Sequence, residues 1–172
     1  MNILKTINDL GKKAKGASIK IRILKAENKK IAYDFLEKNI KLNSDLILNA
    51  NKLDIENALK NNLSKPLINR LKINEDSISG IIKSINQIKN QPDPIGEILE
   101  NWEQPNGLKF SKISVPLGVL GVIYESRPNV TIDASCLALK SNNALILRGG
   151  SDSFHTSTEL VKIITESFEQ AN

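Results

Sequence analysis

The chain has 172 residues, 40% of them hydrophobic and 25% charged, with a formal charge of +5. That suits one domain with a proper core, or one domain plus a small appendage. No apolar run approaches the roughly 20 residues that cross a bilayer, the N-terminus shows no secretory pattern, and the single cysteine, Cys136, excludes an internal disulfide and a cysteine-rich metal site. A cytoplasmic protein without a metal centre is the expectation.

The positive charge is local. Residues 1–30 carry nine Lys or Arg against Asp9 and Glu27, whereas the rest of the chain carries fifteen basic and seventeen acidic groups. Twenty of the twenty-four basic residues are lysine, as on a solvated helix face. With 4% aromatic residues there is little surface on which bases could stack, so neither nucleic acid nor a membrane is expected as a partner. Within this basic segment Ile3, Ile7, Leu10, Ala14, Ala17, Ile21 and Leu24 alternate spacings of four and three, one face of an amphipathic helix. It suits a helix resting on the remainder of the protein or on a partner subunit; an organelle presequence or a membrane-surface helix fits less well.

Further helices follow. Ile31, Phe35 and Leu36 predict a second, ending near 39–43. Ser44 is placed to cap a third, with Leu46, Ile47, Ala50, Leu53, Ala58 and Leu59 as its apolar positions. Ser64 and Pro66 open a short helix through Leu71. Asn74, Glu75 and Asp76 open another, with Ile78, Ile81, Ile82, Ile85 and Ile88 on one side and acids at its positive end. Gln91-Pro-Asp-Pro94 stops the helical pattern.

Beyond it, Gly96 to Trp102 and Leu108 to Val115 predict two strands joined by a turn at 105–107. Leu117 to Tyr124 has the length and β-branched content of a buried parallel strand. Thr131 to Lys140 predicts a helix, Ala144 to Leu147 a second buried strand, and Ser151 to Phe168 a final amphipathic helix. Strand, helix, strand, helix is a βαβα unit with a parallel sheet and a right-handed crossover. The expected fold class is therefore α/β: a helical region over 1–90, a hairpin over 91–116 and a βαβα unit over 117–172.

Open parallel sheets bind ligands beyond the carboxyl ends of their strands. Two loops fall there, Glu125-Ser-Arg-Pro-Asn129 and Arg148-Gly-Gly-Ser-Asp152. The second leads into a helix whose free N–H groups and dipole favour a phosphate. Glycines are common in any such turn, and neither the dinucleotide glycine fingerprint nor a P-loop is present, so a purely structural turn remains open.

Residues 115–131, Val-Pro-Leu-Gly-Val-Leu-Gly-Val-Ile-Tyr-Glu-Ser-Arg-Pro-Asn-Val-Thr, closely resemble the signature stretch of the gamma-glutamyl phosphate reductase (glutamate-5-semialdehyde dehydrogenase) family, and Leu139-Lys-Ser-Asn-Asn-Ala-Leu-Ile-Leu-Arg-Gly-Gly150 continues it in register. Leu48-Asn-Ala-Asn51 and Leu63-Ser64 are similar to the same family. It belongs to the aldehyde dehydrogenase superfamily, whose Rossmann-like sheet lacks the ordinary glycine fingerprint.

The resemblance implies an NADPH-dependent reduction of L-glutamyl 5-phosphate to L-glutamate 5-semialdehyde and phosphate, the second step of proline synthesis. A cysteine thiolate displaces phosphate as a thioester, and hydride then reduces it. Asn129 matches the superfamily asparagine that donates to the oxyanion, although capping of the following helix would equally explain an asparagine there. Arg148 matches a lysine near the adenosine ribose, with Gly149, Gly150 and Ser151 beside it. Serine in place of an acid at 151 tolerates a 2′-phosphate and so favours NADP(H). Arg127 is a weaker candidate for an anionic substrate group, against a local salt bridge. Cys136 is expected to be a small buried hydrophobe rather than the nucleophile, which lies in a later domain, and His155 to serve at the surface or as a cap.

The family is also considerably longer. The resemblance implies that 91–116 is an oligomerisation arm of a homo-oligomer, that 117–172 is the first part of an NADP-binding domain, and that the catalytic domain is absent. A piece of a longer chain, half of a divided enzyme and a gene remnant all fit, as does a non-catalytic fragment that binds nucleotide or assembles with another chain.

Overall fold

A computed structural model describes residues 2–171. Five helices come first: α1 (Ile3–Ile21), α2 (Ala26–Leu42), α3 (Ser44–Lys60), α4 (Lys65–Leu71) and α5 (Glu75–Asn90). Local chemistry sets their ends. Asn2 caps α1 by accepting from the Lys5 N–H, and Asn74 and Ser77 form a reciprocal capping box on α5. Helix α3 stops where Asn62 turns left-handed at φ 54°, letting the Leu63 N–H reach the Ala58 carbonyl at 3.0 Å.

The chain then forms an antiparallel ribbon, β1 (Ile98–Glu103) with β2 (Lys109–Ile113), in which Trp102 lies opposite Phe110 and stacks on it at 5.3 Å. Every residue of the ribbon is exposed. Next come β3 (Val119–Ile123), α6 (Asn129–Lys140), β4 (Ala144–Arg148), a 3₁₀ turn (Ser151–Ser153) and α7 (Phe154–Glu169). Strands β3 and β4 are parallel, running from Val119 opposite Ala144 to Ile123 opposite Arg148. Helix α6 ends like α3, on a left-handed Asn142, and the Asn143 side chain accepts from the Gly118 N–H at 2.7 Å, tying the strand starts together.

One core serves both parts of the chain. Tyr33, Leu36 and Ile40 from α2 meet Ile47 from α3, Ile85 from α5, Ile132 from α6 and Leu160 from α7, all fully buried. The Tyr33 hydroxyl donates to the Cys136 carbonyl at 2.8 Å, joining α2 to α6 inside that core. Two lysines close its end near the ribbon. Buried Lys29 donates to the Lys140 carbonyl at 3.0 Å and pairs with Asp93 at 2.6 Å, while Lys140 donates to the carbonyls of Lys89 and Gln91. Burial works against ionisation of Asp93, but the Lys29 ammonium and the Ile95 N–H outweigh it and hold its pKa below the usual range. Burial likewise pulls the Lys140 pKa down, against the charge of Asp93.

Three expectations change. Ile31 is exposed, and α2 turns Lys29, Ala32, Tyr33, Leu36 and Ile40 inward instead. Leu46, Leu53 and Leu59 of α3 are also exposed, whereas Asn51 and Asp54 are buried with Ile47 and Ala58. The two apolar strands are only half covered, Ile123 being 80% exposed, because helices cover the faces of this two-stranded sheet only in part. Among the described residues no helix is long and apolar enough to cross a membrane.

Candidate functional site

Parallel pairing brings the carboxyl ends of β3 and β4 side by side, and the Tyr124 N–H extends the ladder onto the Arg148 carbonyl at 3.1 Å. The loops that follow, 124–128 and 149–152, interlock. A Cβ on Gly149 would stand 3.0 Å from the Tyr124 hydroxyl, and one on Gly150 would stand 2.8 Å from the Ser126 Oγ and 3.3 Å from its backbone N. Tight apposition of two loops thus accounts for both glycines. Ser126, itself buried, donates to Asp152 at 3.1 Å, and the Tyr124 hydroxyl is 2.7 Å from the Thr131 hydroxyl at the start of α6. Arg148 and Ser151 sit at the rim of this platform with exposed side chains.

The N-terminus of α7 differs from what its sequence suggests. The buried Asp54 carboxylate of α3 accepts from the N–H groups of His155 at 3.0 Å and Thr156 at 2.8 Å, and from the Thr156 hydroxyl at 2.6 Å. A helix start able to receive a phosphate therefore already holds an anion of its own chain. Next to it, the Asn51 amide accepts from the Ile73 N–H and donates to the Leu71 carbonyl and the Thr156 hydroxyl. Neither residue was singled out from sequence as an interior group. The available signal was a pair of polar side chains three apart on α3 between Ile47 and Ala58.

Asn129 is the first residue of α6, with Pro128 in the capping position, and no side-chain cap bond forms. Capping does not explain it. Its exposed side chain borders a cleft of about 250 Å³ between α5 and α6, whose other walls include Arg70, Lys72, Ser77, Ser84 and Asp133. Asp133 lies one helical turn beyond Asn129 and accepts from Ser84 at 2.8 Å. Asn51, by anchoring Leu71 and Ile73, sets the position of the segment that carries Lys72. Arg127 is exposed; Glu125, the acid nearest to it in sequence, pairs with Arg70 at 3.1 Å.

Cys136 is fully enclosed, and burial, helped by the charge of Asp133, pushes its thiol up to about 12. It is no nucleophile at neutral pH. His155 is exposed, edge-on to Phe154.

No protein-family model matches the chain. It is 48% identical, over 94% of its length, to a gamma-glutamyl phosphate reductase of Bartonella bacilliformis, of which it spans 39%. It is 44% identical, over 99% of its length, to that of Brucella suis, of which it spans 41%. The crystal structure of gamma-glutamyl phosphate reductase from Thermotoga maritima matches 92% of this chain with a TM-score of 0.89 at 34% identity, and that from Saccharomyces cerevisiae matches 94% with a TM-score of 0.90 at 31% identity. The chain covers 38% and 41% of those two structures. A probable aldehyde dehydrogenase from Listeria monocytogenes, 17% identical with a TM-score of 0.63, shares the fold. The chain is thus similar, along nearly its whole length, to about two fifths of gamma-glutamyl phosphate reductases, and its α/β architecture is of the aldehyde dehydrogenase type.

Proposed function

We propose that this chain is the N-terminal part of a cytoplasmic, NADPH-dependent reductase that converts L-glutamyl 5-phosphate to L-glutamate 5-semialdehyde and phosphate. The observation that carries the reading is the pair of interlocked loops at the carboxyl ends of β3 and β4, where an open parallel sheet receives its ligand. The reductase relatives supply the reaction.

NADPH would bring a hydride to this platform. Arg148 and Ser151, both exposed at its rim, would hold the adenosine end, with Gly149 and Gly150 keeping the turn low. Ser151 brings no charge to repel a 2′-phosphate, and the exposed Arg148 offers a cation at the same rim. The helix start itself takes no phosphate. Asn129 faces an open polar cleft and can aim its amide N–H at an oxyanion without titrating. Loss of one such donor typically raises the barrier by about 3–4 kcal/mol. Arg127, with Arg70 and Lys72 on the cleft wall, gives an anionic amino-acid substrate a complementary surroundings.

The thiolate that attacks the acyl phosphate is not Cys136, so this chain alone turns over no substrate. The same fact favours a second reading, a fragment that binds nucleotide or assembles without catalysing. The ribbon, exposed along its length with Leu99, Trp102 and Phe110 on its surface, suits an oligomerisation arm. Titration with NADPH and NADH tests the cofactor assignment: Ser151→Glu is expected to weaken NADPH binding much more than NADH binding. Equal losses would overturn it. Reduction of glutamyl phosphate by the purified chain would overturn the assignment of the nucleophile elsewhere.

A further inference from the structure

We infer that the cleft between α5 and α6 receives the amino-acid end of the substrate, with Asp133 taking its α-ammonium and Lys72 its α-carboxylate; this rests on the reading above and deepens it. The cleft holds about 250 Å³, less than a drug-sized ligand fills. Three charged residues line it, Arg70, Lys72 and Asp133. Arg70 is already paired with Glu125 at 3.1 Å. Lys72 and Asp133 are free: among the described residues neither forms an ion pair.

One spare cation and one spare anion in a single cleft complement a zwitterion. A plain dicarboxylate would instead meet Asp133 as a like charge. Asp133 is half-buried, and the Ser84 hydroxyl donates to one of its oxygens at 2.8 Å, which holds the carboxylate against α5. A tie between two helices would be served by any acceptor and needs no negative charge, so the acid itself calls for a cationic partner. Gly80 keeps the α5 wall low, since an added Cβ there would meet nothing within 4 Å.

Spacing fits the same ligand. Asn129 and Asp133 stand one turn apart on the same face of α6, about 6 Å along the helix axis. In a glutamyl chain, two methylenes and the α-carbon separate the reacting carbonyl carbon from the α-nitrogen, a similar reach when extended. With the Asn129 amide on the developing oxyanion, the ammonium therefore arrives at Asp133. Lys72, exposed on the opposite wall, is left to the α-carboxylate.

The test follows backbone amide resonances of the isotope-labelled 172-residue chain during titration with two probes. One is L-glutamate, whose side-chain carboxylate stands in for the acyl group; the other is glutarate, the same carbon chain without the ammonium. Glutamate should shift the amides of Ser84, Asn129 and Asp133, and should bind about tenfold or more tightly than glutarate. Asp133→Asn keeps an acceptor for Ser84 and should erase that preference, leaving glutarate binding unchanged or tighter. Gly80→Leu fills the cleft and, replacing a glycine inside a helix, should not unfold the chain; the shifts from both probes should vanish. Equal affinity for the two probes overturns the inference, as does a preference that survives Asp133→Asn or glutamate binding that survives Gly80→Leu. So does the absence of shifts at these amides up to the solubility of the amino acid. NADPH titration of the same samples reads the cofactor assignment separately. A chain that binds NADPH without preferring glutamate loses this subsite alone, and one that prefers glutamate but ignores NADPH loses the cofactor assignment and keeps the subsite.

Discussion

The helical core around Tyr33 and the two small sheets draw on similarly apolar sequence, yet only the first encloses it. Leu36, Ile85 and Leu160 are fully buried, whereas Leu99 and Ile113 of the ribbon and Ile123 of β3 remain more than half exposed. A helix satisfies its own backbone and needs cover for one stripe, so a few helices can close a core together. A strand needs neighbours on both edges and cover on both faces, and two strands cannot supply that. The molecule is thus finished where helices meet helices and open where sheet is required.

That contrast can be broken by substitution. Leu36→Ala should have the largest effect, a loss of about 2–5 kcal/mol in urea unfolding, as for a cavity in a closed core. A loss below 1 kcal/mol would mean that the core is looser than its burial implies. Asp54→Ala comes next: it strips three hydrogen bonds from the start of α7 and should lower stability by about 2–3 kcal/mol, with Asp54→Asn recovering part of it. No change would show that the carboxylate is not needed there, and the helix start would again be open to a ligand anion.

Alkaline pH sharpens the comparison without a structural cut. The Cys136 thiol is raised in the folded state to about 12, against an ordinary value near ~8.5. Its protonated form favours folding, so that contribution is fully present below the unfolded value and is lost as pH rises from there toward the folded one. Tyr33, also raised by burial, adds to the same decline at higher pH. Melting temperature should fall through this window, and less steeply in Cys136→Ala; parallel profiles would rule out the thiol as the cause. Trp102→Ala should matter least, changing the stability of the isolated chain by under about 1 kcal/mol. A larger loss would mean that the ribbon is covered in solution.

Legibility followed the same divide. The apolar side of α5 was readable position by position, because Ile78, Ile81, Ile85 and Ile88 recur at helical spacing and all are buried. The stripe of α3 was misread, since Asn51 and Asp54 face inward to hold Ile73 and Thr156, partners 22 and 102 residues away. The strands were found but their cover was not, because an apolar run states what a segment wants and not whether neighbours are present. At the site, the two loops were legible from their place after strands. That Gly149 and Gly150 answer to Tyr124 and Ser126 was not.

Sequence alone determined the order of elements, the helix starts at Asn74 and Pro66, the parallel βαβα unit and the reductase likeness, all of which rest on interactions within a few residues or on a short run of characters. Only the tertiary structure decided that Asp54 occupies the start of α7, that Asn51 holds Leu71 and Ile73, and that Asn129 is released from capping to face a cleft. Each depends on groups far apart in the chain brought within a few ångströms, and no local pattern carries that distance.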